Sequence, residues 1–139
     1  MNKQIKMLLT IIFGIVAITV AVVLIFVFKE RQKKEENKLY STMNTVVKDY
    51  YRDYYYVYIL GDDDETRAKN ASNYPNGISL TLRELAKYKV NNEDSILSQF
   101  KNYRTGANCN YDKTKIVIYP VEPYGREDIR IDANIVCGF

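Results

Sequence analysis

Hydrophobic and polar positions fall into three regimes along the chain. From Met7 to Phe28, 22 consecutive residues carry no charge, and only Thr10, Gly14 and Thr19 interrupt the apolar run. About 20 such residues suffice for a helix to cross a hydrocarbon core. The pattern therefore predicts a transmembrane helix over residues 7–28, preceded by a short tail of residues 1–6. Lys29 to Lys38 is highly charged, with Glu30 and Lys34 at the supportive i,i+4 spacing. From Leu39 the apolar positions recur with a helical period. At about 100° per residue, Leu39, Met43, Val46, Val47, Tyr50, Tyr51, Tyr54, Val57 and Tyr58 share one broad arc. Lys48 and Arg52 lie opposite it. Neither Pro nor Gly occurs between Ile15 and Leu60. One helix running to about residue 58 is expected, with residues 29–60 as its charged juxtamembrane and amphipathic extension.

Residues 61–139 read as a small α+β domain. Gly61 and the acidic run Asp62-Asp63-Asp64-Glu65 end the helix, and Asn70, Asn73, Pro75, Asn76 and Gly77 mark residues 61–78 as a loop. Thr81-Leu82-Arg83-Glu84 matches a capping box and opens a short helix to about Tyr88. A second short helix follows Asn91-Asn92 and includes Ile96, Leu97 and Phe100. Lys113 to Tyr119 has β character, with Ile116 and Ile118 on one face. Pro120, Pro123 and Gly125 form the turn. Ile129, Ile131, Ala133, Ile135 and Cys137 then alternate with Arg130, Asp132 and Asn134, the clearest strand pattern in the chain. The expected architecture is a long membrane-spanning helix continuing into a small domain with a short antiparallel sheet and a C-terminal β-hairpin.

Composition narrows the chemistry. The 139 residues include no histidine, which excludes His-based metal sites, Ser-His and Cys-His nucleophile pairs and histidine pH switches. Met1 to Lys38 carry seven Lys/Arg against three Glu, and Leu39 to Phe139 carry thirteen against fourteen acidic residues. The net charge of +3 thus belongs to the flanks of the apolar run, where cations favour anionic headgroups. The remainder is near neutral, and no nucleic-acid partner is expected. The apolar run ends Val-Val-Leu-Ile-Phe-Val-Phe, too long and too bulky for a cleavable signal peptide, and reads as an uncleaved anchor. Two signals disagree on orientation. Two Lys on the N-side against six Lys/Arg within twenty residues of the C-side favour a cytoplasmic domain. Paired cysteines would favour an oxidising exterior.

Four features could carry chemistry. Six of the thirteen tyrosines lie between Tyr50 and Tyr58. Most of that cluster reads as a packed helix face, while Tyr55 and Tyr56 fall outside the stripe and form the candidate interaction surface. The run 62–65 lacks the Gly and Glu of a calcium-binding EF-hand loop, since Arg67 and Asn73 stand in those places. Asn70-Ala71-Ser72 fits the N-glycosylation triplet. Cys109 and Cys137 would close a 29-residue loop as a disulfide, worth roughly 3.6 kcal/mol in the chain-entropy model. Two buried thiols are the competing reading. No Cys-x-x-Cys pair, nucleophile motif or phosphate loop is present, and no catalytic residue, cofactor, metal site or small-molecule substrate is identified.

The order of parts resembles the type IV pilin-like proteins and pseudopilins of Gram-positive bacteria. The likeness rests on the aromatic Tyr50–Tyr58 end of the long helix, on Ile78-Ser79-Leu80-Thr81-Leu82-Arg83-Glu84-Leu85, and on the closing Ile135-Val136-Cys137-Gly138-Phe139. It implies a helix whose polar half packs on a small antiparallel sheet, and a role beside a secretion, uptake or surface-filament apparatus. The chain departs from the family's processing motif. Gly14 is followed by Ile15-Val16-Ala17 rather than an aromatic start, and no Glu precedes Glu30. The expected function is that of a membrane-anchored, non-enzymatic, pilin-like protein with an extracellular domain. Its expected partners are the bilayer, through residues 7–28, and other membrane or pilin-like subunits. The alternatives are a cytoplasm-facing single-pass adaptor and an anchored enzyme using the carboxylates of residues 62–65.

Overall fold

A computed structural model describes residues 3–88 and 92–138. The chain divides after Glu36 into two compact units. In the first, helix α1 (Lys3–Tyr50) begins as an apolar helix with its large side chains exposed from Ile5 to Phe28. It is long and apolar enough to cross a membrane, and none of its most apolar stretch is buried within the protein. The hydroxyls of Thr10 and Thr19 donate to the carbonyls of Lys6 and Ile15, so their polar atoms are satisfied inside the helix. Hydrocarbon surroundings demand this self-sufficiency.

The second unit begins at Asn37 and so takes in the amphipathic half of the helix. Leu39, Met43, Val46 and Val47 are buried at α-helical spacing. From Tyr51 to Ile59 the backbone changes to a π-helix. Its closing bond runs from the Leu60 N–H to the Tyr55 carbonyl, five residues back, at 3.2 Å. A π-helix advances about 4.4 residues per turn, and such segments are rare. The buried positions follow that longer period: Tyr51, then Tyr55 and Tyr56, then Leu60. This corrects the expectation that Tyr55 and Tyr56 are the exposed rings. They are 9% and 3% exposed, whereas Tyr58, placed by α-periodicity on the buried arc, is 72% exposed.

A three-stranded antiparallel sheet in the order β1-β2-β3 supplies the facing layer. Its strands are β1 (Ile78–Thr81), β2 (Lys115–Pro120) and β3 (Ile129–Asn134). Leu80 pairs with Ile116, which pairs with Ala133; Ile78 pairs with Ile118, which pairs with Ile131. The core face is therefore continuous across the sheet, with Ile116 and Ile118 fully buried at its centre. The β2–β3 hairpin is the one read from the alternation. β1 was not anticipated, because four residues show too little alternation to register. Gly77 precedes it at φ 75°, and a Cβ there would meet Val117 Cγ1 at 2.6 Å.

Among the described residues, three short helices complete the unit. The capping box holds: the Glu84 N–H donates to Thr81 Oγ1 and the Thr81 N–H donates to Glu84 Oε2, opening α2 (Leu82–Ala86) directly from the end of β1. The short helix α3 (Glu93–Leu97) buries Ile96 and Leu97, while Asn91 of its expected start lies outside the described residues. The expected loop 61–78 instead contains a helix of its own, Asp64–Ala71. Asp63 caps it by accepting from the Thr66 N–H, and Asp64 and Glu65 place negative charge in its first turn, where the helix dipole favours it. The acidic run is solvent-exposed, and from Asp63 onward it is also a helix start.

Candidate functional site

The aromatic cluster has an inner and an outer row, which meet where Tyr50 and Tyr55 lie 6.0 Å apart. Inside, Tyr51 stacks on Tyr55 at 6.2 Å between ring centroids and lies 5.9 Å from Tyr56; Tyr55 meets Tyr74 edge-on at 6.2 Å. Outside, Tyr50, Tyr54 and Tyr58 follow one another at 5.6 and 5.9 Å, with Tyr88 against the first two at 5.3 and 6.2 Å. Such tilted contacts add to area burial. The outer row carries the accessible aromatic surface, so Tyr58 and the half-buried Tyr54 replace Tyr55 and Tyr56 as the rings a partner would meet.

The inner row is electrostatically unusual. Tyr51 is completely buried, and its hydroxyl has no hydrogen-bond partner among the described residues. Desolvation pushes its ionisation up to about 12, helped by Tyr56 and Asp128. In the outer row, Tyr50 is likewise raised to about 12, chiefly by burial and then by Tyr54 and Glu84. Two guanidinium groups approach the Tyr56 ring, those of Arg67 at 5.7 Å and Arg126 at 5.8 Å from its centroid, contacts favoured by the ring's negative face. Burial still raises its ionisation. These phenols stay neutral throughout the physiological range and act as packing surfaces there.

The remaining candidates resolve into structural roles. Asp63 is held below the usual carboxylate range by the Thr66 backbone N–H and hydroxyl, and Asp64 pairs with Arg67 at 3.0 Å. Arg67 also donates to the Gly61 and Asp62 carbonyls, which draws the acidic segment back onto the helix end. Asn70 of the glycosylation triplet donates its side-chain amide to the Leu60 carbonyl and is half-buried, with Ala71 buried beside it. Its local task is to satisfy a carbonyl at the end of the π segment.

Cys109 and Cys137 lie at disulfide distance and are buried. Asn102, which sequence reasoning missed, organises their surroundings. It is 3% exposed. Its amide donates to the Cys137 and Gly138 carbonyls at 3.0 and 2.8 Å, while its Oδ1 accepts from the Arg104 and Thr105 N–H groups. Thr114, also buried, accepts from the Val136 N–H at 3.0 Å. A lone Asn or Thr in a polar stretch carries no signal of burial, so neither could have been found from the chain alone. Surface clefts of about 210 Å³ (beside Lys115, Val117 and Asp132) and 240 Å³ (beside Asp94, Lys101 and Tyr111) are shallow, smaller than most small-molecule sites.

The fold defines a class: an α+β domain whose core is partly built from the distal half of a long helix with an apolar N-terminal stretch. Compared with family models, curated proteins and solved structures, the chain matches none.

Proposed function

We propose that the chain is a membrane-anchored, non-enzymatic, pilin-like protein, its domain outside the cell, acting through interaction or assembly at a secretion, uptake or surface-filament apparatus. The observation that carries this reading is the buried Cys109–Cys137 pair, because such pairing persists in oxidising compartments. The helix-on-sheet core adds support, as it is the arrangement that the pilin resemblance implies. A second reading, a cytoplasm-facing adaptor, is favoured by the six basic residues that follow the apolar stretch.

Maleimide mass-shift on intact cells separates the two. Thiols blocked until a reductant is added from outside are expected for the external domain. Thiols that react only after lysis, without reductant, would place the domain in the cytoplasm and reject the surface reading. Co-purification with the apparatus, and loss of secretion or uptake on deletion, test the role itself.

A further inference from the structure

The two edges of the sheet are finished differently. Hydrogen bonds in an antiparallel pair alternate, so every second residue of an edge strand turns its N–H and C=O away from its neighbour. On β1 the outward residues are Ser79 and Thr81, because Leu82 donates to the Thr114 carbonyl in the same register as the Leu80–Ile116 pair. The Thr81 N–H is already taken by Glu84, and the strand ends there in a helix. That edge is short: it leaves outward only the Ser79 groups and the Thr81 carbonyl before the chain turns into a helix.

β3 is open. Val121 donates to the Asp128 carbonyl, and Val136 is bonded toward Thr114 and Asn110. The even-numbered residues therefore face β2, and Ile129, Ile131 and Ala133 face outward. The Ile129 N–H is used by the Glu127 carbonyl. Among the described residues, nothing bonds the outward groups of Ile131 and Ala133. The side chains of Ile129, Ile131 and Ala133 point to the core face yet are only half-buried, whereas Ile116 and Ile118 on β2 are fully buried. On the opposite face Arg130 and Asp132 are exposed, and neither forms an ion pair among the described residues; Arg130 lies over the Tyr119 ring at 4.4 Å. An edge of this kind is a template for another strand.

We propose that the occupant is β3 of a second copy, paired antiparallel about a twofold axis through Ile131. The charge sequence singles out this pairing. With Ile131 opposite its own symmetry mate, Ile129 falls opposite Ala133 and Arg130 falls opposite Asp132, twice. The Ile131 pair exchanges both outward backbone bonds, each Ala133 N–H donates to the Ile129 carbonyl opposite it (the Ile129 N–H being held by Glu127), and the odd-numbered side chains extend the apolar face. The Arg130–Asp132 pairs occupy the non-bonded positions, where side chains approach most closely. The strand is thus complementary to itself, as an isologous interface requires, and two sheets become one of six strands. This inference is independent of the side of the membrane on which the domain lies.

The test uses the full-length chain in detergent micelles, with dimer fraction followed by analytical ultracentrifugation over a concentration series. Wild type is expected to dimerise. Arg130→Asp alone and Asp132→Arg alone each place like charges opposite one another and should weaken association about tenfold or more. The double exchange Arg130→Asp/Asp132→Arg restores opposite pairs and should restore the dimer. Hydrogen exchange on the unsubstituted chain gives a reading that no variant can confound: the Ile131 and Ala133 amides should become protected as concentration rises. A chain that stays monomeric, a dimer indifferent to both single exchanges (as one held by the apolar helix would be), or concentration-independent exchange at Ile131 and Ala133 would each overturn the proposal.

Discussion

Two consecutive stretches of helix pack into one core by different rules. Between Leu39 and Val47 the buried residues recur at the α-helical period, and a wheel drawn from the sequence places them correctly. Between Tyr51 and Leu60 the backbone hydrogen bonds lengthen to i→i+5, and the same wheel exposes the wrong rings. The first stretch offers small and aliphatic side chains that fit under a regular helix. The second must lodge Tyr51, Tyr55 and Tyr56 side by side. Opening the turn by part of a residue brings Tyr55 and Tyr56 to either flank of Tyr51, whereas at about 100° per residue Tyr56 would fall well off that side. Periodicity predicts burial only where the backbone keeps the period assumed.

Substitution within the second stretch breaks this comparison with the largest effect. Tyr51→Ala should cost about 3–5 kcal/mol, with Met43→Ala in the first stretch at about 2–5 kcal/mol. Tyr58→Ala should change stability by less than about 0.5 kcal/mol. Thermal unfolding of the full chain in micelles, followed by near-ultraviolet circular dichroism, ranks the three. A Tyr58 cost equal to that of Tyr51 would reject the π register. Next in size, Cys137→Ser should remove roughly 3.6 kcal/mol, measured by the same unfolding curve. Helix capping comes third, since Thr81→Ala removes the hydroxyl that accepts from Glu84 and should cost about 1 kcal/mol.

Two smaller effects sharpen the picture. Tyr51→Phe keeps the ring and deletes the unpartnered hydroxyl, so it should raise stability by about 1 kcal/mol. A loss of that size would instead reveal a partner for the hydroxyl. The acid response should be shallow. Asp63, Glu84 and Asp112 are all held below their ordinary ionisation, by Thr66, Thr81 and Arg83 respectively. Their folded values lie below the unfolded ones, so their contribution is complete above the ordinary values of 3.8 and 4.5. It is lost as pH falls through the lowered values. A melting temperature that is flat from pH 7 to about 5 and declines below about 4.5 is the expected profile. A melting temperature that rises on acidification over that lower window would contradict it.

How much was legible depended on whether a signal was local. The capping box at Thr81 and Glu84 needs only four residues and the intrinsic reach of their side chains. The alternation from Ile129 to Asn134 needs only the pleat of a strand. Asp63 caps the Asp64–Ala71 helix just as locally, yet the acidic run around it masked the helix, because Asp62 to Glu65 lacks an apolar periodicity to follow. β1 stayed hidden for a different reason. Four residues acquire strand identity only when Ile116 and Ile118 pair with them, a contact some 36 to 40 positions away in the chain.

The chain by itself determined the apolar helix, the amphipathic stripe that follows, the C-terminal hairpin and the candidacy of two cysteines, since each follows from residue type at short spacing. Tertiary structure decided the rest. It turned Tyr55 and Tyr56 inward, recruited Asn102 and Thr114 as buried hydrogen-bonding centres, brought Cys109 to Cys137, and left β3 open where β1 ends in a capped helix. Those outcomes depend on which distant groups arrive beside each residue and on whether its backbone atoms find partners, which no local pattern contains.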